Sequence, residues 1–241
     1  MAVVTTMVVA CAKFAASSLP TFVEPIMPFP HPQSIIGGNS TNMLGLLPTI
    51  QVVCKPSCNG CAGELASKTV GRYSAMLQRR VNMSIAGPAS TLGSGKILGI
   101  ADTVSLCIDT LEDTSSPSSL GPSMNEAYEL SIAQPANSTS AAISIQAHTV
   151  WGALRGLESV SQLIGFGWVP HSPSGKLAVV RGIPMTIHDS PLFPYRGLMI
   201  DTGRHFLPVP FIRRIIDGLE TMKMNVLHWV SFDVVGIFCF T

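Results

Sequence analysis

The hydrophobic pattern after Pro191 constrains this chain more than any other feature. RGLMIDT (196–202) is a short apolar run of the kind expected of a strand buried on both faces. FIRRIIDGLETMKM (211–224) has helical spacing, with Ile212, Ile215, Ile216, Leu219 and Met222 on its inner side. NVLHWV (225–230) is a second apolar run. Strand, helix and strand with short joins form one βαβ unit, the repeating element of a parallel sheet or barrel.

The order upstream is different. Residues 17–49 are rich in Pro, Gly and Ser and read as an irregular lead-in. A helix is expected over 62–80, carried by Leu65, Thr69, Tyr73, Met76 and Leu77. Residues 96–110, 126–133 and 141–147 alternate like half-buried strands. Residues 148–164 return to helical spacing through Trp151, Leu154, Leu157, Val160 and Ile164, and 176–189 have strand character. This order predicts an α+β domain, an antiparallel or mixed sheet carrying two helices.

Composition narrows the function classes. Of 241 residues, 46% are hydrophobic and 12% charged, against about 25% charged in an ordinary soluble domain, so disorder over most of the length is excluded. A net charge of +1 argues against a nucleic-acid partner. No run reaches the roughly 18 apolar residues of a transmembrane segment. Residues 1–24 read as a signal or leader on their apolar stretch and small residues, although no basic residue comes first; a nonpolar terminus is the alternative. Asn39, Asn82 and Asn137 open N-x-[ST] triplets, which fit glycosylation in a secretory pathway. Cys54, Cys58, Cys61 and Cys107 are disulfide candidates if the chain is exported, with a bridge from the 54–61 cluster to Cys107; reduced thiols are the alternative in the cytosol. No second Cys pair or nearby His completes a zinc site, so no metal is expected. GSGK (93–96) lacks the earlier glycine of a P-loop, and Ile97 stands where Ser or Thr would bind magnesium.

Three stretches carry a specific likeness: HTVWGALRGLESVSQLI (148–164), SPLFPYRGLMIDTGRHFLPV (190–209) and MKMNVLHW (222–229), with a weaker one at MPFPHPQSII (27–36). They resemble the β-N-acetylhexosaminidases of glycoside hydrolase family 20. The resemblance implies an N-terminal α+β domain over 25–190, followed by the first βαβ unit of a (β/α)8 TIM barrel over 191–229, truncated here. It implies no cofactor, substrates ending in N-acetylglucosamine or N-acetylgalactosamine, a homo- or heterodimer, and a vacuolar, lysosomal or extracellular location. By its place in F-P-Y-R-G, Arg196 would bind hydroxyls of the terminal sugar, the other reading being a salt bridge to Asp201. Asp201, Arg204 and His205 are read as supports of the first strand and its loop. Trp151 and Trp229 are read as core residues.

The family reaction is substrate-assisted: the sugar's 2-acetamido oxygen attacks the anomeric carbon, while a neighbouring Asp–Glu pair orients it and moves the protons. That pair lies on the fourth barrel strand of the family, so this chain is expected to lack it and to be inactive alone. Asp233 falls at the spacing of a family active-site aspartate, but Val230 stands where the family has His. Val230-Ser231 can be encoded by an intron's opening bases, so 230–241 are expected to be a non-family tail translated from a retained intron. The uncovered half-barrel is expected to favour aggregation. The rival expectations are a non-catalytic binding or dimerising fragment, and a non-functional splice product.

Overall fold

Two strands form where an irregular lead-in is expected: β1 (Ser34–Gly37) and β2 (Met43–Cys54). Gly45 and Pro48 look like breakers in sequence. In the structure Pro48 falls where the register of β2 on its neighbour shifts between Leu46 and Gln51, a bulge that needs no ladder N–H from proline. The structure, a computed structural model, describes residues 27–38, 41–86, 95–111, 124–134, 142–168, 176–231 and 235–239.

The remaining elements follow in order: α1 (Glu64–Ala86), β3 (Ile97–Ile108), β4 (Tyr128–Ala133), β5 (Ala142–Ala147) and α2 (Val150–Leu163). A short strand not foreseen in sequence, β6 (Gly165–Trp168), comes next. The single strand expected over 176–189 is two, β7 (Lys176–Arg181) and β8 (Met185–Asp189). They separate at Gly182, whose φ of +78° suits glycine and whose Cβ position lies 2.4 Å from the Gly38 carbonyl oxygen.

These eight strands form one mixed sheet in the order β1-β8-β4-β5-β3-β2-β7-β6. β3 runs parallel to both β2 and β5; the other pairs are antiparallel. The apolar faces of α1 and α2 bury Tyr73, Leu77, Leu157 and Val160 against Leu106, Leu130 and Ile145 of the sheet. Gly152 lets α2 lie close to the segment before β4, since a Cβ there would fall 2.2 Å from the Ala127 carbonyl oxygen.

A second sheet follows: β9 (Gly197–Asp201), α3 (Val209–Thr221), β10 (Val226–Val230) and β11 (Val235–Cys239), in strand order β11-β10-β9. β9 and β10 are parallel, with Leu227 opposite Leu198 and Trp229 opposite Ile200, as a βαβ unit requires. The expectation that β9 is buried on both faces is corrected. Ile200 and Leu227 pack with Ile212 and Leu219 of α3, while Met199, pointing the other way, is 60% exposed and Leu198 is 39% exposed. Only one face of this small sheet carries a helix among the described residues. Met222 also leaves the expected inner side of α3: it stands past the helix end and is exposed. β11 pairs antiparallel with β10, so a strand forms within the stretch expected to be a foreign tail.

Candidate functional site

α2 is buried all round, not on one stripe. Its sheet-facing side is apolar as expected, but Arg155, Glu158, Ser159 and Ser161 are also buried. The cover on that side is the turn after α3, residues 222–225. Gln162 donates to the Thr221 carbonyl at 2.9 Å, and Arg155 Nη2 reaches the Met224 carbonyl at 3.4 Å. The signal was present in sequence, since Arg155, Glu158, Ser159 and Gln162 recur at helical spacing. Helical spacing of polar residues normally marks a solvated face, so nothing local distinguishes a polar seam from a wet surface.

At the centre of the seam, Glu126 accepts from Arg155 Nε at 2.9 Å and from Arg196 Nη2, and Asn225 Nδ2 approaches its other oxygen at 3.4 Å. Its side chain is 2% exposed. Arg196 also donates from Nε to the Lys223 carbonyl and from Nη1 to the Phe193 carbonyl, both at 2.8 Å. Burial lowers the Arg196 pKa, and the Glu126 carboxylate partly restores it. The Arg196–Asp201 salt bridge held open in sequence does not form. Arg196 pairs with Glu126, and Asp201 with Arg204.

A second buried group lies beside it. Lys223 Nζ donates to Ser159 at 2.7 Å, Tyr128 at 3.0 Å and Asp189 at 3.2 Å, and sits 5.1 Å from the Tyr128 ring centre. Burial pulls the ammonium pKa down while Asp189 raises it. Burial, helped by the Asp189 charge, pushes the Tyr128 hydroxyl well up. Lys223 holds these contacts from a backbone φ of +54°. A third contact joins α1 to α3: Glu220 accepts from Tyr73 Oη at 3.1 Å and from Arg72. Glu158 faces this Glu220 and Lys223, and burial first, then Glu220, pushes its carboxyl up to about 7.

The other end of the βαβ unit is the end where parallel strands present their loops. Asp201, last in β9, accepts the backbone N–H of Gly203 at 2.9 Å and of Arg204 at 3.2 Å, closing a turn that aims Arg204 outward. The Arg204 guanidinium is 85% exposed and 3.2 Å from the Asp201 carboxylate. Trp229 on β10 donates its indole N–H to Thr202 Oγ1 at 2.8 Å and is half-buried, whereas Trp151 is fully buried. His205 is exposed, and His228 Nε2 is buried without a hydrogen-bond partner among the described residues. The motif arginines thus stand at opposite ends of β9: Arg196 before it, turned into the seam, and Arg204 after it, open to solvent.

Disulfides join Cys54 to Cys61 and Cys58 to Cys107, fastening the 3-10 turn Asn59–Ala62 to the ends of β2 and β3. Asn82 is exposed on α1; Asn39, Asn137 and Asp233 lie outside the described residues. Among the described residues no His, Cys, Asp or Glu cluster could hold a metal, and no helix is long and apolar enough to cross a membrane.

Residues 28–163 match the family model described as beta-acetyl hexosaminidase like, and residues 193–236 match the catalytic-domain model of glycosyl hydrolase family 20. The second match runs past Trp229 and takes in Asp233. Beta-hexosaminidase 1 of Arabidopsis thaliana is 34% identical over 208 residues, which are 85% of this chain and 36% of the plant protein. The beta-hexosaminidase subunit beta of Mus musculus is 42% identical over 114 residues, 46% of this chain and 18% of that subunit. The chain therefore spans about a third or less of these relatives. The chitobiase of Flavobacterium johnsoniae superposes with a TM-score of 0.53 at 26% identity, over 85% of this chain and 26% of the enzyme.

Proposed function

Because the chain belongs to glycosyl hydrolase family 20, we propose that it supplies the N-terminal domain and the opening of the catalytic barrel of a β-N-acetylhexosaminidase. The substrate class is glycans ending in N-acetylglucosamine or N-acetylgalactosamine, cleaved with the sugar's own acetamido oxygen as nucleophile. The carrying observation is the parallel β9–α3–β10 unit, which lies within the catalytic-domain match and keeps Asp201 and Arg204 of its motif at the loop end of the strands.

Sugar hydroxyls on this reading meet Arg204 before Arg196. Arg204 stands in the loop after β9, where parallel-strand folds build their sites, and Asp201 holds its turn. Arg196 has its fork committed to Glu126 and two carbonyls at the opposite end, which suits a structural tie. These 241 residues include no Asp followed by Glu, so the acid–base work of the family has no such pair here and the chain alone is inactive. Two disulfides support an oxidising compartment. A second reading, a non-catalytic module that docks on a full-length relative, is favoured by the separate, larger core under the eight-stranded sheet.

An aryl N-acetylglucosaminide assay tests the proposal. The chain alone gives no hydrolysis. A longer protein that continues this sequence through an Asp–Glu pair turns substrate over, and there Arg204→Gln raises KM and lowers kcat at unchanged melting temperature, while Arg196→Gln lowers the melting temperature first. Turnover by the chain alone would sink the inactivity claim. An inert longer protein would sink the enzyme reading.

A further inference from the structure

Four acids meet in the seam where the βαβ unit docks, and among the described residues three of them have a basic partner. Glu126 holds Arg155 and Arg196, Asp189 holds Lys223, and Glu220 holds Arg72. Glu158 is the exception. It is 4% exposed and makes no ion pair among the described residues. Its Oε1 accepts neutral donors from its own helix, the Ser161 hydroxyl at 3.3 Å and the Gln162 amide at 3.2 Å. A buried carboxyl held this way favours its protonated form, because two neutral donors do not replace the hydration of a charge.

Gln162 ties this carboxyl to the docking contact itself. Its Nε2 group donates to Glu158 and also to the Thr221 carbonyl at the end of α3, at 2.9 Å. Its Oε1 accepts the Phe29 N–H at 2.6 Å, so the amide cannot turn away without losing a bond. The charged and titratable groups around Glu158 come from each element packed there. α1 brings Tyr73, and Arg72 through Glu220; α3 brings Glu220; the turn after it brings Lys223, already engaged by Tyr128 and Asp189. Arg155, one turn earlier on α2, is engaged by Glu126. Burial pushes the Glu158 carboxyl up to about 7, and Glu220 adds to this while Gln162, Ser161 and Lys223 oppose it.

We propose that Glu158 is an acid-operated latch between the eight-stranded domain and the βαβ unit: protonated, it lets α3 and the turn 222–225 close on α2, and ionised, it draws water into the seam and loosens them. Net charge does not set the latch, since ionisation balances the four acids against Arg72, Arg155, Arg196 and Lys223. What sets it is that the ionised carboxylate has no contact partner of its own and faces Glu220. The core beneath the eight-stranded sheet is separate from the core of the βαβ unit, so the latch can open while the larger core stays intact. It is independent of the proposed sugar chemistry.

Amide hydrogen exchange of the purified chain, corrected at each pH for intrinsic exchange, tests this. The reporters are the N–H groups of Met222, Met224 and Asn225, bonded to the carbonyls of Gly218, Leu219 and Arg196. Their protection falls by about 10- to 100-fold between pH 5 and pH 8, the span set by a carboxyl near 7 when docked and near 4.5 when free. Amides of β5 in the larger core keep their protection over the same range. Glu158→Gln, which keeps an acceptor for Ser161 and Gln162 but cannot ionise, abolishes the fall. If that variant does not fold, Glu220→Gln replaces it: removing the like charge makes the fall end at a lower pH. A fall shared equally by β5, no fall in the wild type, or a fall unchanged in the variant used overturns the latch.

Discussion

Glu126 and Arg196, 70 residues apart in the chain, form an ion pair that joins the eight-stranded sheet to the βαβ unit. The pair is buried, with side chains 2% and 16% exposed, and Arg155 binds the same carboxylate oxygen from α2. Docking of the two parts is therefore a polar event: α2 offers Arg155, Ser159 and Gln162, and the turn after α3 answers with carbonyls, Lys223 and Asn225.

Removing the Glu126 carboxylate leaves two guanidiniums buried against each other without a counter-charge. Glu126→Gln is expected to cost about 3–5 kcal/mol, the range for breaking a buried pair from one side. Urea unfolding of wild type and variant measures it, and a loss below about 1 kcal/mol would mean that the seam is wet.

Lys223 is held at a left-handed φ by three side-chain bonds. Lys223→Gly eases the backbone but removes the counter-charge of the part-buried Asp189, which keeps only its neutral donors, so it is expected to destabilise by about 2–4 kcal/mol in spite of the relieved φ. A stabilised Gly variant in thermal unfolding would refute this account of the turn.

The two disulfides close loops of very different length, 49 residues for Cys58–Cys107 and 7 for Cys54–Cys61. On the chain-entropy account, replacing the first pair by Ser costs about 4 kcal/mol and the second about 2 kcal/mol. Denaturation of the two double-Ser variants under non-reducing conditions should give that order; equal losses would point to a non-entropic origin.

Glu158 ties stability to pH. Its folded pKa is raised to about 7 from the ordinary 4.5, so the folded state binds the extra proton between those values. Stability from this group is fully present below about 4.5, falls as pH rises through 7, and levels off above, a drop of roughly 3 kcal/mol. Glu158→Gln should flatten that part of the profile in pH-dependent unfolding. A profile unchanged by the substitution would place the titration elsewhere.

The sequence by itself determined the element types of α1, α2, α3, β3, β4 and β5, because side-chain period is a local property of the backbone, and showed β9 and β10 as short apolar runs on either side of a helix. It also carried the ordered motifs of residues 148–164, 190–209 and 222–229 that placed the chain in its family. Tertiary structure decided what periodicity cannot express, namely which surface covers each face. β2 survives Gly45 and Pro48 because β3 pairs it on both sides of a bulge and β7 pairs Met43 to Leu46 from the other edge. The polar side of α2 is interior because residues 222–225 close over it, and Met199 is exposed because no helix reaches its face of β9 among the described residues. Arg196 and Arg204 read alike in a motif, but a strand of five residues separates their surroundings. One guanidinium meets a buried carboxylate from residue 126 and the other an exposed pairing with Asp201 three residues back, and only long-range contacts bury the first.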